Sequence, residues 1–118
     1  MLMVSRITPR QVVAKMVKGE HVAFVDARDD AAWSASGLRL TGAVRVRLPS
    51  IVRDATRIPR SCVAVVYGTD ERDLDVPRVA DGLRALGFGE VRVLAGGFAG
   101  WVELRYAVQD SGEAPLAA

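Results

Sequence analysis

The sequence predicts an α/β domain of three layers, with a central, mostly parallel sheet flanked by helices. Two observations carry this expectation. Short apolar runs (His21–Val25, Cys62–Tyr67, Val91–Leu94) alternate with stretches of helical periodicity along the chain, the pattern of βαβ units. The runs at 21–25 and 62–67 are apolar at nearly every position, as strands buried on both faces must be.

In chain order, Thr8 reads as a helix N-cap with Pro9 at the first helical position, where a missing N–H costs nothing. Val12, Val13, Met16 and Val17 then recur at helical spacing and Gly19 ends the helix. The strand at 21–25 runs into Asp26. Residues 29–36 form a short helix capped by Asp29, with Trp33 on its buried side. Residues 37–42 read as a loop, and 43–48, where Val44 and Val46 alternate with Arg45 and Arg47, as a strand with one wet face. Residues 49–60 suggest one loosely packed helical turn. The strand at 62–67 opens at Gly68 into a polar loop, followed by a helix over 76–86 with Pro77 in its first turn. A strand at 91–94, a Gly96-Gly97 turn and a short helix through Trp101 complete the domain, set at residues 1–110. The tail from Asp110 reads as frayed, with 111–118 flexible.

At 118 residues the chain suffices for one core. No apolar run reaches the roughly 20 residues that cross a bilayer, and MLMVSRITP lacks the layout of a signal peptide. A net charge of +2 argues for neither nucleic acid nor membrane. The single Cys62 has no partner for a disulfide, which fits a cytoplasmic setting.

The stretch from Cys62 to Phe88 organises the rest. A strand feeding a helix through a tight loop aims backbone N–H groups at one point, a ready site for an anion or nucleophile. Here the loop opens on glycine and carries Asp70, Glu71, Asp73 and Asp75 against Arg72, a local formal charge of −3. That charge repels an anion.

Four motifs in register resemble the rhodanese-like (sulfurtransferase) family. These are Asp26-Ala-Arg28 with Trp33; SGLRLTGA at 36–43, similar to the family's GHIPGA turn; Tyr67-Gly68 before a helix ending Leu86-Gly87-Phe88; and LAGGFAGW at 94–101, close to L-x-G-G-x-x-x-W. The resemblance spans residues 7–108. It implies a rhodanese-like fold and a catalytic cysteine at the first loop position, whose thiolate carries a sulfane sulfur from donor to acceptor. Such a thiolate needs surrounding amide dipoles and bases. The aligned residue is Gly68, which has no nucleophile, and Asp70, Glu71 and Asp73 would raise a thiolate pKa. The resemblance therefore implies a degenerate site loop, Gly68, Thr69, Asp70, Glu71, Arg72, Asp73 and Leu74, without a catalytic residue, cofactor or metal.

Asp26 and Arg28 stand at a strand's carboxyl end and read as supports of that loop, Asp26 bracing backbone and Arg28 pairing with an acid. Arg72 and Arg78 flank the loop and could hold an anion, although Arg72 has carboxylates beside it to pair with. Cys62 lies six residues before the loop, about 20 Å along an extended strand, and reads as a small buried hydrophobe. His21 reads as a surface residue. The loop carboxylates could bind a divalent cation, but no glycine or distal Glu falls where an EF-hand-like loop needs them. Six arginines (39, 45, 47, 53, 57 and 60) face one acid, Asp54, over residues 39–60. They form a candidate docking ridge without the aromatic residues of a single-strand nucleic-acid binder.

The expectation is thus a non-catalytic rhodanese-like module that contacts a protein partner through loop 68–75 or the arginine face 39–60. Those two surfaces could also complement each other in a weak homodimer. The alternatives are a sulfurtransferase or sulfur carrier working through Cys62 or an unidentified group, a hydrolase using loop carboxylates, and a metal- or ligand-regulated binding domain.

Overall fold

The computed structural model describes residues 5–112. Its elements in order are β1 (Arg6–Ile7), α1 (Pro9–Val17), β2 (Val22–Asp26), α2 (Asp30–Ser36), β3 (Leu38–Leu40) and β4 (Val44–Arg45). A run of helical turns follows, with α3 (Ile51–Asp54) between two 3-10 turns, Leu48–Ser50 and Ala55–Arg57. Then come β5 (Val63–Tyr67), α4 (Asp75–Ala85), β6 (Glu90–Leu94), α5 (Gly97–Glu103) and β7 (Val108–Asp110).

Five strands form one parallel sheet in the order β1-β6-β5-β2-β4. Strand alternation splits its side chains between two cores. Val25, Ala64, Val66, Val91 and Val93 join Val76, Val79, Ala80 and Leu83 of α4 and Ala55 on one face. Phe24, Val63, Val65, Tyr67 and Leu94 join Val12 of α1 and Trp101 of α5 on the other. Burying a side chain of this size stabilises by about 1.5–3 kcal/mol, so the central strands β2 and β5 need apolar residues on both faces. The register pairs Asp26 with both Arg45 and Tyr67, and Ile7 with Leu94. One carboxyl edge of the sheet therefore carries Leu94, Tyr67, Asp26 and Arg45 together.

The capping signals hold. Thr8 and Gln11 form a reciprocal capping box on α1, and the Asp29 carboxylate accepts the Ala32 N–H. Four expectations are corrected. Residues 37–42 contain strand β3, which pairs antiparallel with β7 at the end of the domain. Asp110 is thus in a strand, and Ser111 is buried with its N–H donated to Gly37 O (2.9 Å). Residues 113–118 of the expected tail lie outside the described residues. A pairing between segments about 70 positions apart leaves no local signal in a three-residue strand. The strand expected over 43–48 is ladder only at Val44–Arg45.

The fourth correction is the segment 49–60, which is held tightly. Its anchor is Asp54, buried, whose carboxylate accepts the Arg47 N–H (3.0 Å) and the Ser50 hydroxyl (2.8 Å) and meets Arg53 (3.3 Å) and Arg57 (3.5 Å). Burial by itself raises the Asp54 pKa, but these donors outweigh it and hold the group below its ordinary 3.8. A depressed folded pKa means that the contribution is complete above the ordinary value and lost as pH falls through the lower folded one. We expect Asp54→Ala to lower stability by about 2 kcal/mol near neutral pH. Urea melts at about pH 7 and about pH 3 should show the gap between parent and variant closing in acid.

Candidate functional site

The sheet's carboxyl edge is organised by a fully buried ion pair. Asp26 and Arg28 have side chains 0% and 1% exposed, joined at 2.6 Å (Arg28 Nη2 to Asp26 Oδ2), with Nε donating to both carboxylate oxygens at 3.0 and 3.1 Å. The Arg28 N–H also donates to Asp26 Oδ1, and the Tyr67 hydroxyl donates to Oδ2. Arg28 continues to the Leu38 carbonyl (2.7 Å), and its guanidinium lies 4.4 Å from the Phe98 ring centroid and 5.4 Å from that of Trp33. The Tyr67 oxygen accepts the Leu40 N–H at 3.2 Å. Burial, and then the adjacent Asp26 charge, push the Tyr67 phenol pKa far up, so it remains a donor. Asp26 and Arg28 are therefore paired with each other and buried beneath the sheet's carboxyl edge. Tyr67, read from sequence as the end of an apolar strand and the start of the Tyr67-Gly68 motif, has a place in this buried network that sequence reasoning missed. A buried phenol next to a buried carboxylate depends on the pairing of β2 with β5, so no local pattern could signal it.

Tyr67 hands the chain to the loop. The Gly68 and Thr69 carbonyls accept the Phe98 and Ala99 N–H groups (2.8 and 3.0 Å), so the first turn of α5 clamps the loop's start. This approach needs Gly97, where an added Cβ would stand 2.8 Å from Gly68 O and 2.9 Å from the Asp70 backbone. The loop acids turn inward on backbone N–H groups. Asp70 accepts the Arg72 N–H (2.8 Å) and pairs with its guanidinium (3.2 Å); these two contacts, in that order, lower its pKa. Glu71 accepts the Gly96 N–H (3.1 Å) and lies 3.6 Å from Arg6. Asp73 accepts from Thr69 N–H (3.4 Å) and Asp75 N–H (3.2 Å). The charge of −3 is thus largely structural.

Asp73 and Val76 fill the space beside Gly68. A Cβ built on Gly68 would fall 2.5 Å from Val76 Cγ2, 2.6 Å from Asp73 Oδ2 and 2.7 Å from Asp73 Cβ. The remaining cavity at the loop, bounded by Arg6, Gly68, Glu71 and Asp73, is about 30 Å³, room for little more than a water. Arg72 is 91% exposed and pairs with Asp70; Arg78 lies 3.9 Å from Asp75 on the surface of α4. Leu74 is 76% exposed. Neither arginine is brought together with Gly68 by a contact.

Cys62 and His21 sit at the amino end of the sheet, where the Val63 N–H donates to His21 O. The Cys62 thiol donates to Pro59 O (2.9 Å), and burial raises its pKa. His21 is exposed. Among the described residues no group of three His, Cys, Asp or Glu is arranged to hold a metal ion. No helix among them is long and apolar enough to cross a membrane.

The arginine face is extensively bound within the chain. Arg45 and Arg47 share Asp30 (3.0 and 2.7 Å), so they do lie on one side. Arg53 and Arg57 share Asp54. Arg60 donates to Leu86 O and covers the Phe88 ring, and Arg39 donates to Ala43 O (3.1 Å).

The family profile described as Rhodanese-like domain matches residues 8–104. Among solved structures, a full-length protein from Lactobacillus plantarum shares 21% identity at a TM-score of 0.74, over 89% of this chain and 87% of that one. The rhodanese-like domain of an Anabaena sp. protein shares 22% at 0.71, over 98% and 88%. The thiosulfate sulfurtransferase of Pseudomonas aeruginosa shares 22% at 0.72, over 91% of this chain and 20% of that one. At these identities the structural likeness establishes the fold. No curated protein matches the sequence.

Removing one member of a buried pair strands the other without solvent. Arg28→Met should cost about 3–5 kcal/mol in urea unfolding, and adding Asp26→Asn should return part of the loss. A single-variant cost under about 1 kcal/mol, the range of an exposed pair, would show that the pair does not brace the edge.

Proposed function

As this chain belongs to the rhodanese-like domain family and carries glycine at the head of the loop between β5 and α4, we propose that it is a non-catalytic member acting as a protein-interaction module. The observation that carries this reading is the filled cradle. Sulfur transfer through this loop requires a thiolate and space for a persulfide. Here the space beside Gly68 is taken by Asp73 and Val76, and the Thr69 and Asp75 N–H groups are satisfied by the Asp73 carboxylate. A carboxylate in that position also opposes the approach of thiosulfate.

The loop's outer surface supplies the recognition chemistry. Leu74 projects into solvent between Asp73 and Asp75, and Glu71 and Asp75 keep side chains 56% and 46% exposed. A partner presenting an apolar contact ringed by Lys or Arg fits this surface. The raised thiol pKa of Cys62 and its place at the opposite end of the sheet weigh against the reading in which that thiol carries sulfur.

The test is thiosulfate-to-cyanide transfer by the protein as it stands, Gly68→Cys and Cys62→Ser. We expect background rates from all three. Gly68→Cys should also lose about 1–3 kcal/mol of stability by overpacking, and adding Asp73→Ala should relieve part of that strain. Transfer by the parent that disappears in Cys62→Ser would overturn the reading and make this an enzyme.

A further inference from the structure

We propose that the cleft between α2, β4 and the end of β7 is a phosphate-binding site, separate from the loop. Its volume is about 470 Å³, within the range of small-ligand clefts. Trp33, Arg39, Arg45, Arg57 and Ser111 are among its lining residues, and no carboxylate lines it among the described residues.

The charge balance of this face favours an anion of more than one charge. Arg45 and Arg47 divide Asp30 between them, and Arg53 and Arg57 divide Asp54. Arg39 has no carboxylate partner among the described residues, and its Nε is enclosed without an acceptor. Three of these guanidinium groups, those of Arg39, Arg45 and Arg57, open on one cleft that no carboxylate lines among the described residues. Guanidinium groups converge in this way on phosphoryl oxygens, which offer three acceptors and close to two charges.

The cations are also held in place. Arg45 is 12% exposed, tied to Asp30 (3.0 Å) and to Asp26 O (3.3 Å), and its guanidinium lies 5.0 Å from the Trp33 ring centroid. Arg57 donates to Arg45 O at 3.2 Å. Groups already ordered lose less entropy when a ligand arrives. Trp33 is itself buried, with Arg28 and Arg45 beside its ring, so it supports the cations and leaves no open aromatic face for a base. The ligand is therefore recognised by its phosphoryl group, either as free phosphate or as a small phosphate monoester.

The full chain should be titrated with inorganic phosphate and with glycerol phosphate while its amide and indole N–H resonances are followed, against chloride at matched ionic strength. We expect saturable shifts at Ala43, Val44, Arg45, Gly112 and the Trp33 indole. Arg39→Gln and Arg57→Gln should each weaken binding about tenfold or more, while Arg10→Gln, on exposed α1, should leave it unchanged. Saturation by both probes points to phosphoryl recognition; saturation by inorganic phosphate alone restricts the site to the free ion. Because the spectrum reports folding directly, a misfolded variant is set aside and the other decides. Shifts reproduced by chloride, equal affinity in both folded variants, or binding of an oligoglutamate peptide without binding of either phosphate would overturn the assignment.

Discussion

The structure depends on one interaction, the ion pair of Asp26 and Arg28 sealed beneath the sheet's carboxyl edge. A carboxylate with no exposure is tolerated only when its lone pairs are answered, and Asp26 receives donors from Arg28 and Tyr67. The pair thereby locks β2 to β5. Through Arg28 to Leu38 O and Tyr67 to Leu40 N–H it also locks β3 to the sheet's carboxyl edge, and through the Arg28 contact with Phe98 it reaches α5. Since Tyr67 immediately precedes Gly68, the same network sets where the loop begins.

The loop shows how a charge run acquires structure. Asp70, Glu71 and Asp73 each accept a backbone N–H. A strand-loop-helix turn concentrates such donors, and in an anion site they are left pointing at the ligand. This chain answers them from within. The space beside Gly68 is filled by Asp73 and Val76, and Leu74 stands exposed on the loop's outer rim.

The opposite imbalance holds beyond β4, where arginines outnumber the carboxylates they share. Asp30 and Asp54 order those side chains without neutralising them, because each acid divides its field between two guanidinium groups. An acidic rim and a basic cleft thus coexist on one small domain, with Glu71 and Asp73 held by backbone N–H groups and Arg39, Arg45 and Arg57 by backbone carbonyls. Fixed charges bind ligands more tightly than mobile ones, because less freedom is lost on binding.

By itself the sequence determined the features that rest on local physics. Apolar runs at 21–25, 62–67 and 91–94 marked the three longest strands, Thr8 and Asp29 marked helix starts, and the motifs around Asp26, Gly68 and Gly96 placed the loop within a known family. Asp26 and Arg28 were legible as two opposite charges at a strand's carboxyl end. The pairing of β3 with β7, the anchoring of residues 49–60 by Asp54, and the proton Tyr67 lends to Asp26 were decided by tertiary structure. So was the direction of Asp73, whose carboxylate turns back onto the Thr69 and Asp75 N–H groups. Each of these depends on which backbone N–H or side chain the fold brings within about 3 Å of an acceptor, and a list of residue types along the chain carries no record of that distance.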